Sequence, residues 1–88
     1  MRLIFASQAW QDYLYWTGSN PKTALRINEM IKQCQRTPFQ GIGKPEPLQG
    51  DLRGWWSRRI SQEHRMVYRV KGSGENQALE IAQLRFHY

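Results

Sequence analysis

The chain has 88 residues, 40% hydrophobic and 12% aromatic, enough for one compact core and too few to bury a second. Thirteen Lys and Arg against seven Asp and Glu give a net charge of +6, which points to an anionic partner: nucleic acid, a membrane surface or an acidic protein. No apolar run nears the roughly 20 residues that span a bilayer. The N-terminus lacks the apolar stretch of a signal peptide, and the single cysteine, Cys34, excludes an internal disulfide framework or a cysteine-based zinc site, so a cytoplasmic protein is expected.

Arg2 to Phe5 reads as a short strand. Ser7 can cap the helix that follows, where Trp10, Tyr13, Leu14 and Thr17 recur close to helical spacing until Gly18 stops it. Asn20 and Pro21 suit the N-cap and first position of a second helix. Its apolar stripe is Ala24, Ile27, Ile31 and Cys34, and Pro38 ends it near Arg36. Cys34 therefore reads as core, and Trp10, Tyr13 and Trp16 as packing rather than a base-stacking platform.

Glycines and prolines punctuate residues 38–54, which read as loop with room for one short strand. Within it, Glu46 lies between Pro45 and Pro47. Residues before proline, here Lys44 and Glu46, are pushed toward extended conformations, so the backbone around Glu46 is stiff. A general base needs such placement; taken alone, the segment also fits a surface turn with an incidental glutamate. Strands follow at Trp55–Ile60, Arg65–Val70 and Ala78–Leu84, separated by polar turns. The order β-α-α-β-β-β predicts a single α+β domain, residues 1–88, with both helices on one face of an antiparallel sheet.

Residues 53–71 carry Arg53, Arg58, Arg59, Arg65, Arg69 and Lys71 against Glu63 alone. Strand alternation groups Met66, Tyr68 and Val70 against Arg65, Val67 and Arg69, and Trp55, Ser57 and Arg59 against Trp56, Arg58 and Ile60. Clustered like charges on one sheet face repel unless an anion lies among them, although any single arginine can simply be solvated. Histidine is the side chain that ordinarily changes charge near neutrality, and His87, next to the last residue, can donate a proton if its neighbours Phe86 and Tyr88 anchor it by aromatic packing. His64 abuts a turn and reads as structural. Two histidines without ligand spacing predict no metal site and no cofactor. A constrained carboxylate, several arginines and a histidine together suit metal-free cleavage of RNA through its 2′-hydroxyl.

The ordered motifs Gly43-Lys44-Pro45-Glu46-Pro47-Leu48, Gly54-Trp55-Trp56-Ser57-Arg58-Arg59-Ile60, Glu63-His64-Arg65-Met66-Val67-Tyr68 and His87-Tyr88 resemble the YoeB toxins of bacterial toxin–antitoxin systems over essentially the whole chain. The resemblance implies a RelE-like, microbial-ribonuclease-like fold and a ribosome-dependent endoribonuclease that cuts mRNA in the ribosomal A site. It also implies neutralisation by an acidic antitoxin of the YefM or Axe type, as a homodimer or a toxin–antitoxin hetero-oligomer. Residue by residue it implies Glu46 as general base, Arg65 as phosphate and transition-state stabiliser, His87 as general acid and Tyr88 as a site-lining residue. Lys44, Arg59 and Trp56 match motif positions expected to contact RNA, and Arg58 and Arg69 join them from the basic strands. Two departures stand out: Gln49, where relatives often carry lysine, and a longer turn from Gly72 to Gln77. The rival readings are a non-catalytic basic RNA-binding module, which gains nothing from a carboxylate beside its phosphate site, and a DNA-binding regulator, for which no recognition helix is evident.

Overall fold

The computed structural model describes all 88 residues. Strand β1 (Arg2–Phe5) runs into helices α1 (Ser7–Ser19) and α2 (Pro21–Arg36), followed by β2 (Glu46–Pro47), β3 (Trp56–Arg59), β4 (Arg65–Lys71) and β5 (Ala78–Gln83). The sheet order is β1-β5-β4-β3-β2. All neighbours are antiparallel except β1 and β5, which pair in parallel with Leu3 opposite Leu79. The antiparallel expectation holds for every pair but that one. Two helices intervene between β1 and the rest of the sheet, and so long a connection lets the strands run the same way.

Asn20 caps α2 as its sequence suggests: its side chain accepts the Thr23 N–H (3.2 Å), and Pro21 follows at the first position. Ser7 does not cap α1. The Ala6 N–H still donates to the Ile81 carbonyl (2.9 Å), so the chain passes from sheet to helix within one residue, and Ser7 is already helical. No helix is long and apolar enough to cross a membrane.

The buried apolar side chains form one cluster between the helices and one face of the sheet. Ala24, Ile27, Met30, Ile31 and Cys34 come from α2; Met66, Tyr68, Leu79 and Ile81 face them from β4 and β5. Full burial of each large side chain is worth about 1.5–3 kcal/mol. α1 adds Ala9 and Trp16 and holds Leu84 by polar contacts on both sides. The Asp12 carboxylate accepts the Leu84 N–H (3.0 Å), and the Trp16 indole N–H donates to the Leu84 carbonyl (2.8 Å). The chain is thus fixed to α1 just before its last four residues. Tyr13 joins the helices through Asn28 (2.8 Å). Trp10 packs outside the core: it is half exposed on the rim, stacked on Tyr13 and edge-on to Phe5.

Candidate active site

On the face away from the helices, a cleft of about 240 Å³ is lined by Lys44, Glu46, Ser57, Arg59, Arg65, His87 and Tyr88. Three segments meet there. The first is the Gly43–Pro47 stretch. The Gly43 carbonyl accepts the Arg59 N–H (2.6 Å), which ties the loop to β3. Gly43 is required at this approach: its φ is +82°, and a Cβ would lie 2.9 Å from Met30 Cε and 3.0 Å from the Arg59 carbonyl oxygen. Lys44 then adopts φ +51°, not the extended conformation expected before proline, because the chain must turn off this anchor. Glu46 is extended in β2, opposite Ser57.

The second segment is the β3–β4 hairpin, which sets Arg59 directly opposite Arg65. Like charges so placed repel. Arg65 is held regardless, because its Nη1 donates to the carbonyls of Ser61 (2.7 Å), Gln62 (3.1 Å) and His64 (3.1 Å). One end of the guanidinium is therefore moored in the turn, while the side chain of this buried residue lines the cleft.

The third segment is the C-terminus. The Arg65 N–H donates to the Phe86 carbonyl (3.0 Å), and the Phe86 N–H donates to His64 Nδ1 (2.7 Å). The Tyr88 hydroxyl lies 3.4 Å from the Ser57 hydroxyl, and the His87 and Tyr88 rings are 5.0 Å apart. The expectation that Phe86 anchors His87 by aromatic packing is corrected. Phe86 is 58% exposed, its ring lies beside that of His64 (5.8 Å between centroids), and its backbone makes the attachment. Glu46 is the only acidic side chain lining the cleft, against Lys44, Arg59 and Arg65. Neither salt bridge of the chain engages it; both end on Glu80. A polar cleft with excess positive charge, a free carboxylate and an imidazole can bind a phosphodiester and move protons on either side of it.

Lys44, Glu46, Arg59, Arg65, His87 and Tyr88 come together as the sequence suggests; Arg58, Trp56 and Arg69 do not. Strand alternation turns Trp56 and Arg58 under the helices with Ile60. Trp56 packs against the core and Phe39 (4.7 Å between rings). Arg58 is fully buried, donating to Tyr68 Oη, Gln33 Oε1 and the carbonyls of Thr37, Gln40 and Ile42 at 2.7–3.3 Å. Burial pushes the Tyr68 phenol up to about 12 against the lowering effect of Arg58, and likewise raises the Cys34 thiol. Arg69 pairs with Glu80 (2.7 Å) and stacks over Trp55 (4.3 Å). Lys71 reaches the same carboxylate (3.7 Å). Sequence reasoning passed over Ser57, although alternation puts it beside Arg59, and over Asp12, whose partner is too distant in the chain for any local pattern.

A family model described as the YoeB-like toxin of bacterial type II toxin–antitoxin systems matches residues 5–88. The Toxin YoeB of Escherichia coli K12 is 50% identical over 88 residues, all of both chains. Among solved structures, a YoeB/ParE toxin from Agrobacterium tumefaciens superposes with a TM-score of 0.97 at 52% identity, covering all of both chains. A Staphylococcus aureus YoeB, solved in a heterotetrameric complex with YefM, gives 0.86 at 40% identity, covering all of this chain and 98% of that one. A YoeB from Staphylococcus aureus has also been solved as a dimer (TM-score 0.87, 39% identity, the same coverage). With a cleft formed by the very motifs that first suggested the resemblance, and with relatives matched end to end, the chain belongs to the YoeB-like toxins of type II toxin–antitoxin systems.

Proposed function

We propose that this toxin is a ribosome-dependent endoribonuclease that cleaves mRNA in the ribosomal A site. The observation that carries the reading is the meeting of Glu46, Arg65 and His87 in one small, cation-rich cleft. Glu46 takes the proton from the 2′-hydroxyl, whose oxygen attacks the neighbouring phosphorus. Arg65, with Arg59 and Lys44, holds the charge that builds on the phosphoryl oxygens. His87 gives a proton to the departing 5′ oxygen, leaving a 2′,3′-cyclic phosphate on the upstream fragment. Tyr88 closes one side of the cleft. No step of this sequence calls for a metal ion.

An acidic YefM- or Axe-type antitoxin would neutralise the chain by covering this face. Such a partner complements the +6 charge, and a YefM complex of the Staphylococcus aureus relative supports it. A homodimer of the toxin has similar support from a Staphylococcus aureus YoeB solved as a dimer. The reaction belongs in the cytoplasm, where ribosomes are. Glu46→Gln keeps size and removes the base, so cleavage of ribosome-bound mRNA and growth arrest should both be lost in a folded chain. Full cleavage by that variant would remove Glu46 from the reaction. Ribosome binding without cleavage by the wild type would favour a non-catalytic RNA-binding module.

A further inference from the structure

We propose that His64 is a positioning residue: in its neutral form Nδ1 holds the Phe86 backbone N–H and so places His87 and Tyr88 at the cleft, and protonation of the ring releases them. The catalytic half of this rests on the reading of His87 as the acid. Beyond Leu84, which α1 grips, the Gln83 side chain donates to the Arg85 carbonyl (3.0 Å), the Arg85 guanidinium lies over the Tyr15 ring (3.5 Å), and the Phe86 ring lies 5.8 Å from that of His64. The Phe86 peptide is gripped on both sides, by the Arg65 N–H at its carbonyl (3.0 Å) and by His64 Nδ1 at its N–H (2.7 Å). Phe86 has φ +67°, a left-handed conformation that costs a bulky residue about 1–2 kcal/mol. Its exposed ring buries too little to offset that, so the two backbone bonds keep it there.

The imidazole is itself well fixed. It stands edge-on to buried Trp16 (4.8 Å), and its backbone carbonyl accepts N–H bonds from Ile60 (3.0 Å) and Ser61 (3.3 Å). Accepting at Nδ1 requires the proton on Nε2. A second proton turns Nδ1 into a donor facing the Phe86 donor, and the bond is lost. The charged and titratable groups around the ring are few. Glu63 and Arg65 flank it in the chain, and Arg65 Nη1 lies on its carbonyl. From α1 come Tyr15 and Asp12, the latter engaged by Leu84 and Gln8. From α2, Arg26 donates to the Ile60 carbonyl (2.7 Å). From the tail, Arg85 lies over the Tyr15 and Phe86 rings. No carboxylate is within salt-bridge distance of the ring.

The test compares wild type, His64→Asn and His64→Leu. Asn keeps an acceptor at the δ position but does not titrate; Leu has no acceptor. Hydrogen-exchange protection of the Phe86 amide, measured by NMR on the free chain, should fall in the wild type at the pH where the His64 ring resonances titrate. It should stay constant in His64→Asn and be absent throughout in His64→Leu. With ribosome-bound mRNA at neutral pH, His64→Leu should lower kcat about 10- to 100-fold with KM unchanged, as expected for misplaced groups, and His64→Asn should restore most of it. Unchanged Phe86 protection in His64→Leu, or an acid step that survives in His64→Asn, overturns the proposal. So does an unchanged kcat in a His64→Leu chain whose Phe86 amide is free. Should His64→Leu fail to fold, the wild-type and His64→Asn titrations still decide. The exchange measurement needs no RNA, so it separates failure of the latch from failure of the nuclease reading.

Discussion

A guanidinium taken out of water with no carboxylate beside it has to find acceptors for its N–H groups, and Arg58 finds them in three carbonyls, Gln33 and Tyr68. Those carbonyls belong to the loop that leads to Gly43, so the buried cation shapes the approach to Glu46. Arg58→Met leaves no unpaired charge but strips these buried acceptors of their donor, at about 1–3 kcal/mol for each one left unsatisfied, while Arg59→Met next door should stay within about 0.5 kcal/mol, as exposed substitutions do. Urea midpoints of the two variants check this. Tyr68, whose hydroxyl donates to the Pro38 carbonyl (2.6 Å), belongs to the same network. Unfolded, it loses its proton near the ordinary 10; folded, near about 12. Between those values the folded state holds the extra proton, so its contribution to stability is intact below pH 10 and falls as the pH rises toward 12. Denaturation across that window should show a steeper alkaline loss in the wild type than in Tyr68→Phe.

Among the elements, the last four residues belong to neither helix nor strand, yet they supply two of the cleft's side chains. The Phe86 peptide is their anchor, and His87 and Tyr88 add no residue to the buried cluster. A chain ending at Phe86 keeps both backbone bonds and should melt close to the wild type. Cleavage of ribosome-bound mRNA should fall about 10²–10⁴-fold, the usual worth of a general acid. Wild-type cleavage by that truncated chain would leave Glu46 and the cations as the catalytic set. A C-terminal extension should impair cutting more than an N-terminal one, because only the former hangs from residues in the cleft.

Across the whole molecule, the six cations of residues 53–71 do not act as one patch. Arg59 and Arg65 line the cleft, Arg58 is buried, Arg69 and Lys71 share Glu80, and Arg53 is exposed outside the cleft. RNA phosphates should therefore be gripped at a small site set within a generally positive surface. Binding to ribosomes should weaken steeply with added salt. Arg59→Gln should weaken it more than Lys22→Gln, an equal loss of charge on exposed α2; equal effects in salt titrations would show that net charge alone governs association. Arg26 is no control for this comparison, because its guanidinium bonds the Ile60 and Arg59 carbonyls.

By itself the sequence determined what depends on near neighbours in the chain. The α2 cap at Asn20, the hairpin turns and the two-residue alternation that separates Ser57 and Arg59 from Trp56 and Arg58 are all local. Its ordered motifs also marked six residues of the cleft and the family. Only the tertiary structure decided what depends on residues far apart. Alternation divides a strand into two faces without saying which lies under the helices; the packing of α1 and α2 settles that, and it moves Arg58 and Trp56 from the expected RNA-binding surface to the buried side. The parallel seat of β1 beside β5, the bonds of Asp12 and Trp16 to Leu84, and the His64–Phe86 contact each join positions that no local pattern relates. Charge can be counted along a sequence, but whether a cation meets solvent, a carbonyl or a carboxylate is settled by burial and by the partners that folding brings to it.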